Sequence, residues 1–187
     1  MKKLVKLTRL GIFVLALLPL PIYSQTLSVS HFDRYFQVYS EQYLPELSWK
    51  YSKAQCYQES LLNPVAISPV GAKGLCQFMP RTWEDMQERL EFRGSPFNPI
   101  KNIRAQSYYM RQLIQIWSSR RPYFEKALLA TASYNAGAGN IIQAQRACDN
   151  ARLWKDIAPC LEQITGHFSK ETLTYVERIK LYYGDLQ

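Results

Sequence analysis

Glu59 is the side chain in this sequence best suited to give a proton to a substrate and take one back. Its neighbours Cys56, Tyr57, Leu61 and Leu62 are weakly polar or apolar. A carboxyl in such surroundings loses hydration of its charged form, and its pKa rises. The group would then stay protonated near neutral pH, as a general acid must. Taken alone, the local sequence favours a plainer alternative, a solvated glutamate at a helix end, because carboxylates outside any motif usually sit in water. Metal chemistry is disfavoured: the chain has no C-x-x-C pair, and its two histidines are His31 and His167. No signature of another cofactor is present.

The elements that must position Glu59 follow from spacing. Phe32, Tyr35, Phe36 and Tyr39 recur at helical intervals, predicting an amphipathic helix within 28–47. A second helix is expected from Trp49 to Ser60, ended by Asn63-Pro64, so that Glu59 stands at its end. Pro64, Pro69, Gly71 and Gly74 mark an irregular loop that could wall a cleft. Gly74 to Met79 is a short apolar piece that could form one strand. Pro80 suits the first turn of a helix running to about Leu90. A long helix is expected over Ile100–Trp117, broken by Arg121-Pro122, and a buried Ala/Leu-rich one over Phe124–Asn135, ending at Gly137. Ile141–Cys148 reads as a short helix, 149–168 as irregular or weakly helical, and Glu171–Tyr183 as a last helix stopped by Gly184. The expected fold class is mainly α, with at most one or two very short strands.

A chain of 187 residues suits one domain. Its 47% hydrophobic and 20% charged residues are globular rather than disordered. Residues 1–24 read as a signal peptide: Lys2, Lys3, Lys6 and Arg9 precede an apolar stretch from Leu10 to Leu20, and Ser24 is a candidate cleavage position. The stretch is shorter than the ~20 residues a membrane span needs. Ile22 fits the small-residue cleavage rule imperfectly, which leaves an uncleaved anchor as the alternative. Residues 25–187 form the expected mature domain, in the periplasm. Without the leader the formal net charge falls from +8 to +4, since the segment holds four basic and no acidic residues. That excess is too small and too scattered for nucleic acid. In an oxidising compartment the four cysteines can form disulfides. Cys148 and Cys160 bracket a short polar stretch and are expected to pair, closing a loop at ~3 kcal/mol of stabilisation. Cys56 with Cys76 follows by elimination, two free buried thiols being the alternative.

Three stretches carry a resemblance. Gln58-Glu59-Ser60, Asn63-Pro64 and the run Ser68-Pro69-Val70-Gly71-Ala72-Lys73-Gly74-Leu75-Cys76-Gln77-Phe78-Met79-Pro80 resemble the catalytic stretch of soluble-type (SLT) lytic transglycosylases. Ala132-Ser133-Tyr134-Asn135-Ala136-Gly137 resembles that family's A-Y-N-A-G motif, and Glu171-Thr172-Leu173-Thr174-Tyr175-Val176 its E-T-x-x-Y-V motif. One such motif is weak; three in the family's order across 45–184 are specific. The resemblance implies a lysozyme-like fold of the goose-type/SLT kind. It also implies cleavage of the MurNAc–GlcNAc bond of peptidoglycan with formation of a 1,6-anhydro end. Glu59 would match the single acid/base, Gln77 and Met79 cleft residues, and Ser68 a serine near the sugar. Tyr134 and Asn135 would stand beside Glu59, and Tyr175 would line the site.

Each residue type has a physical reason. Gln77 and Asn135 offer amide donors and acceptors for hydroxyl or N-acetyl groups. Tyr134 and Tyr175 offer an apolar wall and a hydroxyl to orient the acid. Cys76 departs from the family's usual Met, and Ser133 from the usual Ala or similar residue before Tyr134; neither removes a polar group the reaction needs. Cys56 and Cys76 would staple the turn to the catalytic helix. No motif marks a second catalytic carboxylate, since Glu84, Asp85, Glu88 and Glu91 read as the polar face of a helix. The alternatives are a goose-type lysozyme-like muramidase and a catalytically silent glycan-binding module. The expected partners are peptidoglycan strands and an envelope-spanning secretion or conjugation machine, as for compact exported members of the family.

Overall fold

The computed structural model describes residues 30–187; the segment 1–24, expected to be a signal peptide, lies outside them. The described residues form nine α-helices, with a long loop over 61–79 between the second and third: α1 Asp33–Tyr43, α2 Trp49–Ser60, α3 Pro80–Arg89, α4 Pro99–Ile116, α5 Tyr123–Ala136, α6 Ala138–Ala147, α7 Trp154–Ile157, α8 Leu161–Thr165 and α9 Ser169–Asp185. Among the described residues, none of these helices is long and apolar enough to cross a membrane.

α5 is the axis of the bundle. Ala127, Leu128, Leu129, Ala130 and Ala132 are all buried, so helices approach it closely from several sides: α4, α6 and α9. α2 is the other internal helix. Every residue from Tyr51 to Tyr57 is buried between α1 and α9. Such a helix must pair its polar groups internally. Lys53, fully buried, meets Asp33 of α1 at 2.9 Å, and Ser52 contacts Ser40.

The helix limits have local causes. Ser48 caps α2 by accepting from the Lys50 amide. Pro80 and Pro99 sit in first turns, where a missing N–H costs nothing. Gly137, at φ 85°, separates α5 from α6. α1 is shorter than the expected 28–47 because Leu44 leaves helical geometry ahead of Pro45. α6 begins at Ala138 rather than Ile141. α9 continues through Gly184 to Asp185, so that glycine does not stop it.

One further expectation is corrected, and the weakly helical reading of 149–168 is resolved into short pieces. Gly74–Met79 is not a strand. Gly74 at φ 80° and Gln77 at φ 52° curl it into a turn, and only isolated bridges join Lys73 to Ile67 and to Phe78. Residues 149–168 hold α7, α8 and two 3-10 turns. Each piece is too short to show a period; the Trp154 amide donates to Glu125 of α5 at 2.7 Å, anchoring α7. Both disulfides are present, Cys56–Cys76 and Cys148–Cys160, and no described cysteine is free.

Candidate active site

The last turn of α2 sets Glu59 beside the 66–79 turn, the end of α5 and the first half of α9. The chain leaves α2 through Leu61 and Leu62, at φ 56° and 60°. Two consecutive left-handed residues without glycine cost free energy. The exit is braced by Ser60, whose hydroxyl donates to the Leu75 carbonyl at 2.7 Å and accepts from the Asn63 amide at 3.0 Å. The Cys56–Cys76 disulfide ties the same helix turn to the same loop.

The loop is built from the inside. Gly74 has no room for a side chain: an added Cβ would lie 2.1 Å from the Pro96 carbonyl oxygen and 2.5 Å from the Asn102 amide nitrogen. Asn102, fully buried on α4, accepts from the Cys76 amide and donates to the Pro96 carbonyl, each at 2.8 Å. Gln77 donates to the Gly74 carbonyl at 2.8 Å and to that of Ala66 at 3.3 Å, so its Nε2 holds the turn. Ser68 accepts from the Ala72 amide at 3.0 Å, closing the tip. Met79, half-buried, is the extended residue ahead of α3.

The Tyr175 hydroxyl, from α9, donates to Glu59 Oε1 at 2.5 Å. Tyr175 in turn accepts from Gln55 Nε2 at 3.3 Å, and Gln55 Oε1 accepts from Gln106 Nε2 at 3.0 Å. Tyr134 stands close enough for the Glu59 charge to act on it, but its own hydroxyl donates to the Cys76 carbonyl at 2.8 Å. Tyr175 is thus the tyrosine that orients the acid, and Tyr134 ties α5 to the turn. Asn135 donates to Glu171 Oε1 at 3.3 Å and accepts from the Thr172 hydroxyl at 2.7 Å.

Burial is the main reason that the Glu59 carboxyl is pushed up to about 8; the Tyr175 hydrogen bond works against it and the nearby Glu171 charge with it. Burial also lifts the Glu171 carboxyl, against the pull of Asn135, and holds both Tyr134 and Tyr175 above the ordinary phenol range, with the Glu59 charge second. A carboxyl with its pKa raised this far is mainly protonated at neutral pH. No group of three or more metal-ligating side chains stands together among the described residues.

Sequence reasoning did not single out Gln55, Gln106, Asn102, Thr172 or Glu171 as site residues. Glu171 lies inside a quoted motif, but its approach to Glu59 across 112 positions of chain is a property of how α9 packs on α2. Asn102 had one signal: an asparagine where a helix begins is commonly a cap, yet here Asn98 caps α4 and Asn102 faces inward.

The sequence matches the family described as "Transglycosylase SLT domain" over residues 35–157. The membrane-bound lytic murein transglycosylase F of Pectobacterium atrosepticum is 30% identical over 167 residues, covering 79% of this chain and 33% of that protein. The protein of the same name from Vibrio vulnificus is 31% identical over 162 residues, covering 78% and 30%. This chain therefore spans about a third of the length of these relatives. The structure of the 70-kDa soluble lytic transglycosylase from Escherichia coli superposes with a TM-score of 0.65 at 27% identity, over 82% of this chain and 24% of that one.

Proposed function

The chain belongs to the transglycosylase SLT family, and from that membership we propose that it is a peptidoglycan lytic transglycosylase with Glu59 as its acid/base. The observation that carries this reading is one half-buried carboxyl, bonded to Tyr175, whose pKa is pushed up to about 8. The lysozyme-like fold shared with the Escherichia coli enzyme supports it.

In the proposed reaction Glu59 gives its proton to the oxygen joining N-acetylmuramic acid to N-acetylglucosamine. The C1–O bond breaks through an oxocarbenium-like transition state. The Glu59 carboxylate then takes the proton of the muramic acid C6 hydroxyl as that oxygen bonds to C1. The product is a 1,6-anhydro end, no water enters, and Glu59 returns to its starting state. One carboxyl suffices because the nucleophile belongs to the substrate. In the same proposal Ser68, Gln77, Met79, Tyr134, Asn135 and Tyr175 border the sugar-binding cleft. Ser68, Gln77 and Asn135 contribute through the backbone they fix and the polar atoms they leave free.

Glu171 favours a second reading. It is a half-buried carboxyl close enough to raise the Glu59 pKa. If it holds a water against the opposite face of the sugar, the enzyme is a lysozyme-like hydrolase. Digestion of purified peptidoglycan with mass spectrometry separates the two. Muropeptides one water lighter than hydrolysis products, absent with Glu59→Gln, support the transglycosylase. Hydrated reducing ends that disappear with Glu171→Gln support the hydrolase. Strand binding without any product supports the binding module.

Export belongs to the same proposal, with 1–24 as signal and 25–187 as mature periplasmic domain. Two disulfides suit an oxidising compartment, and the basic-then-apolar leader suits secretion. N-terminal sequencing of the exported protein tests the boundary at Ser24. The proposed setting, local wall opening for a secretion or conjugation machine, rests on the resemblance to compact exported family members. A deletion strain defective in assembling one such machine, with unchanged bulk wall composition, supports it; altered bulk composition overturns it.

A further inference from the structure

We propose that Gln55 and Gln106 are positioning residues of the acid: they form a one-way hydrogen-bond chain from α4 through α2 to α9 that fixes Tyr175 as a donor to Glu59 Oε1 and leaves the transferable proton on Oε2. The inference rests on the reading of Glu59 as the proton donor.

Both glutamines are fully buried. Placing two amides inside a helical core is costly unless every group is bonded, and residues of similar size without amides would fill the same space. Their bonds run in one direction. Gln106 Oε1 receives the Ser107 hydroxyl at 3.4 Å, so its amino end faces Gln55. Gln55 Oε1 is taken by that amino end at 3.0 Å, so its own amino end faces Tyr175 at 3.3 Å. A phenol oxygen that already accepts an N–H has its own proton free for Glu59, 2.5 Å away. With Glu59 protonated, Oε1 is the carbonyl oxygen that accepts from Tyr175, and the acid proton lies on the other oxygen. Without Gln55 the phenol can turn and accept that proton, which withdraws it from the substrate. The ionisable groups facing Glu59 are Tyr175 and Glu171 from α9 and Tyr134 from α5. The Tyr134 hydroxyl is spent as donor to the Cys76 carbonyl and Glu171 acts as acceptor from the Asn135 amide, which leaves the Tyr175 hydroxyl as the donor to Glu59.

The test is a carbon-13 carboxyl titration of Glu59 by NMR, its signal identified by loss in Glu59→Gln, together with kcat and KM on glycan strands. Gln55→Met is expected to raise the titration midpoint and to lower kcat roughly tenfold, the value of about one hydrogen bond to a reacting charge, with KM unchanged. Gln106→Met should move both in the same direction and less. In a Tyr175→Phe background, Gln55→Met should change neither, because the chain acts only through that hydroxyl. Folded variants whose midpoint matches the native protein overturn the proposal, as does an equal shift in the Tyr175→Phe background. If Gln55→Met does not fold, Gln106→Met carries the same readout. A native protein that makes no product overturns the functional reading instead, while the titration still reports on the chain.

Discussion

Two carboxyls face one another across the site, and their surroundings assign them different work. Glu59, packed among the turn, α5 and α9, receives one hydrogen bond from Tyr175; Glu171 receives the Asn135 amide. In the proposed reaction Glu59 must be protonated, so activity on glycan strands is expected to hold through neutral pH and to fall as pH rises past about 8. Tyr175→Phe removes the bond that stabilises the carboxylate. The alkaline limb of the pH–kcat profile should then move to higher pH, while kcat drops roughly tenfold to a hundredfold from loss of a charge-assisted bond. An unchanged limb would mean that Tyr175 does not bond the reacting carboxyl. Glu171→Gln removes a negative charge beside Glu59, so the limb should move the other way, to lower pH, as measured in the same profile. The apolar neighbours Cys56, Leu61 and Leu62 made the direction of the Glu59 shift readable in sequence. The partner that opposes it, Tyr175, was indicated by motif order and not by spacing, since it comes from 116 positions away.

The turn between α2 and α3 is where element geometry becomes cleft geometry, and its two glycines differ. Gly71, at φ 87°, has open space where a Cβ would go; Gly74 has the Pro96 carbonyl oxygen at 2.1 Å. Gly71→Ala should cost only the strain of a left-handed alanine, about 1 kcal/mol. Gly74→Ala adds a backbone clash and the loss of the Asn102 bridge and should cost more than about 3 kcal/mol, measured as the difference in urea unfolding midpoints. Equal costs would place the Gly74 contacts wrongly. Helices whose polar and apolar residues follow a 3.6 period, or whose caps are explicit, were legible: α2 runs Trp49–Ser60 as expected and α5 ends at Gly137. Gly74–Met79 has the composition of a strand, but the conformation comes from three fixed points: a glycine with no room, a left-handed Gln77, and Asn102 reaching in from α4. Two of those are tertiary. The short helices α7 and α8 were illegible for the same reason, being held by Glu125 and by the Cys148–Cys160 link rather than by any period of their own.

At the scale of the whole molecule, the fold supports a site that works against it. A carboxyl held near pKa 8 in the folded chain and 4.5 in the unfolded one binds a proton in the folded state that the unfolded state has lost at any pH between those values. Stability falls with rising pH wherever the folded state holds more protons. The Glu59 contribution is therefore nil below about pH 4.5, grows steadily unfavourable up to about pH 8, and is constant beyond, reaching on the order of 5 kcal/mol. The core around α5 and the two disulfides, each closing a loop at about 3 kcal/mol, offset it. Glu59→Gln keeps the shape and removes the titration. Its stability relative to the native protein, from denaturant unfolding with the disulfides intact, should be near parity at pH 4.5 and should rise in favour of the variant through pH 6 to pH 8. The variant, which by the proposed mechanism has no proton to donate at any pH, is then the more stable protein across neutral pH. A difference that does not change with pH would show that Glu59 is ionised in the folded state, and would remove the physical basis for its role as an acid. Reduction of both disulfides should bring native protein and variant down together and leave the pH-dependent gap between them intact, because the cross-links act on the unfolded chain and Glu59 acts through its own proton.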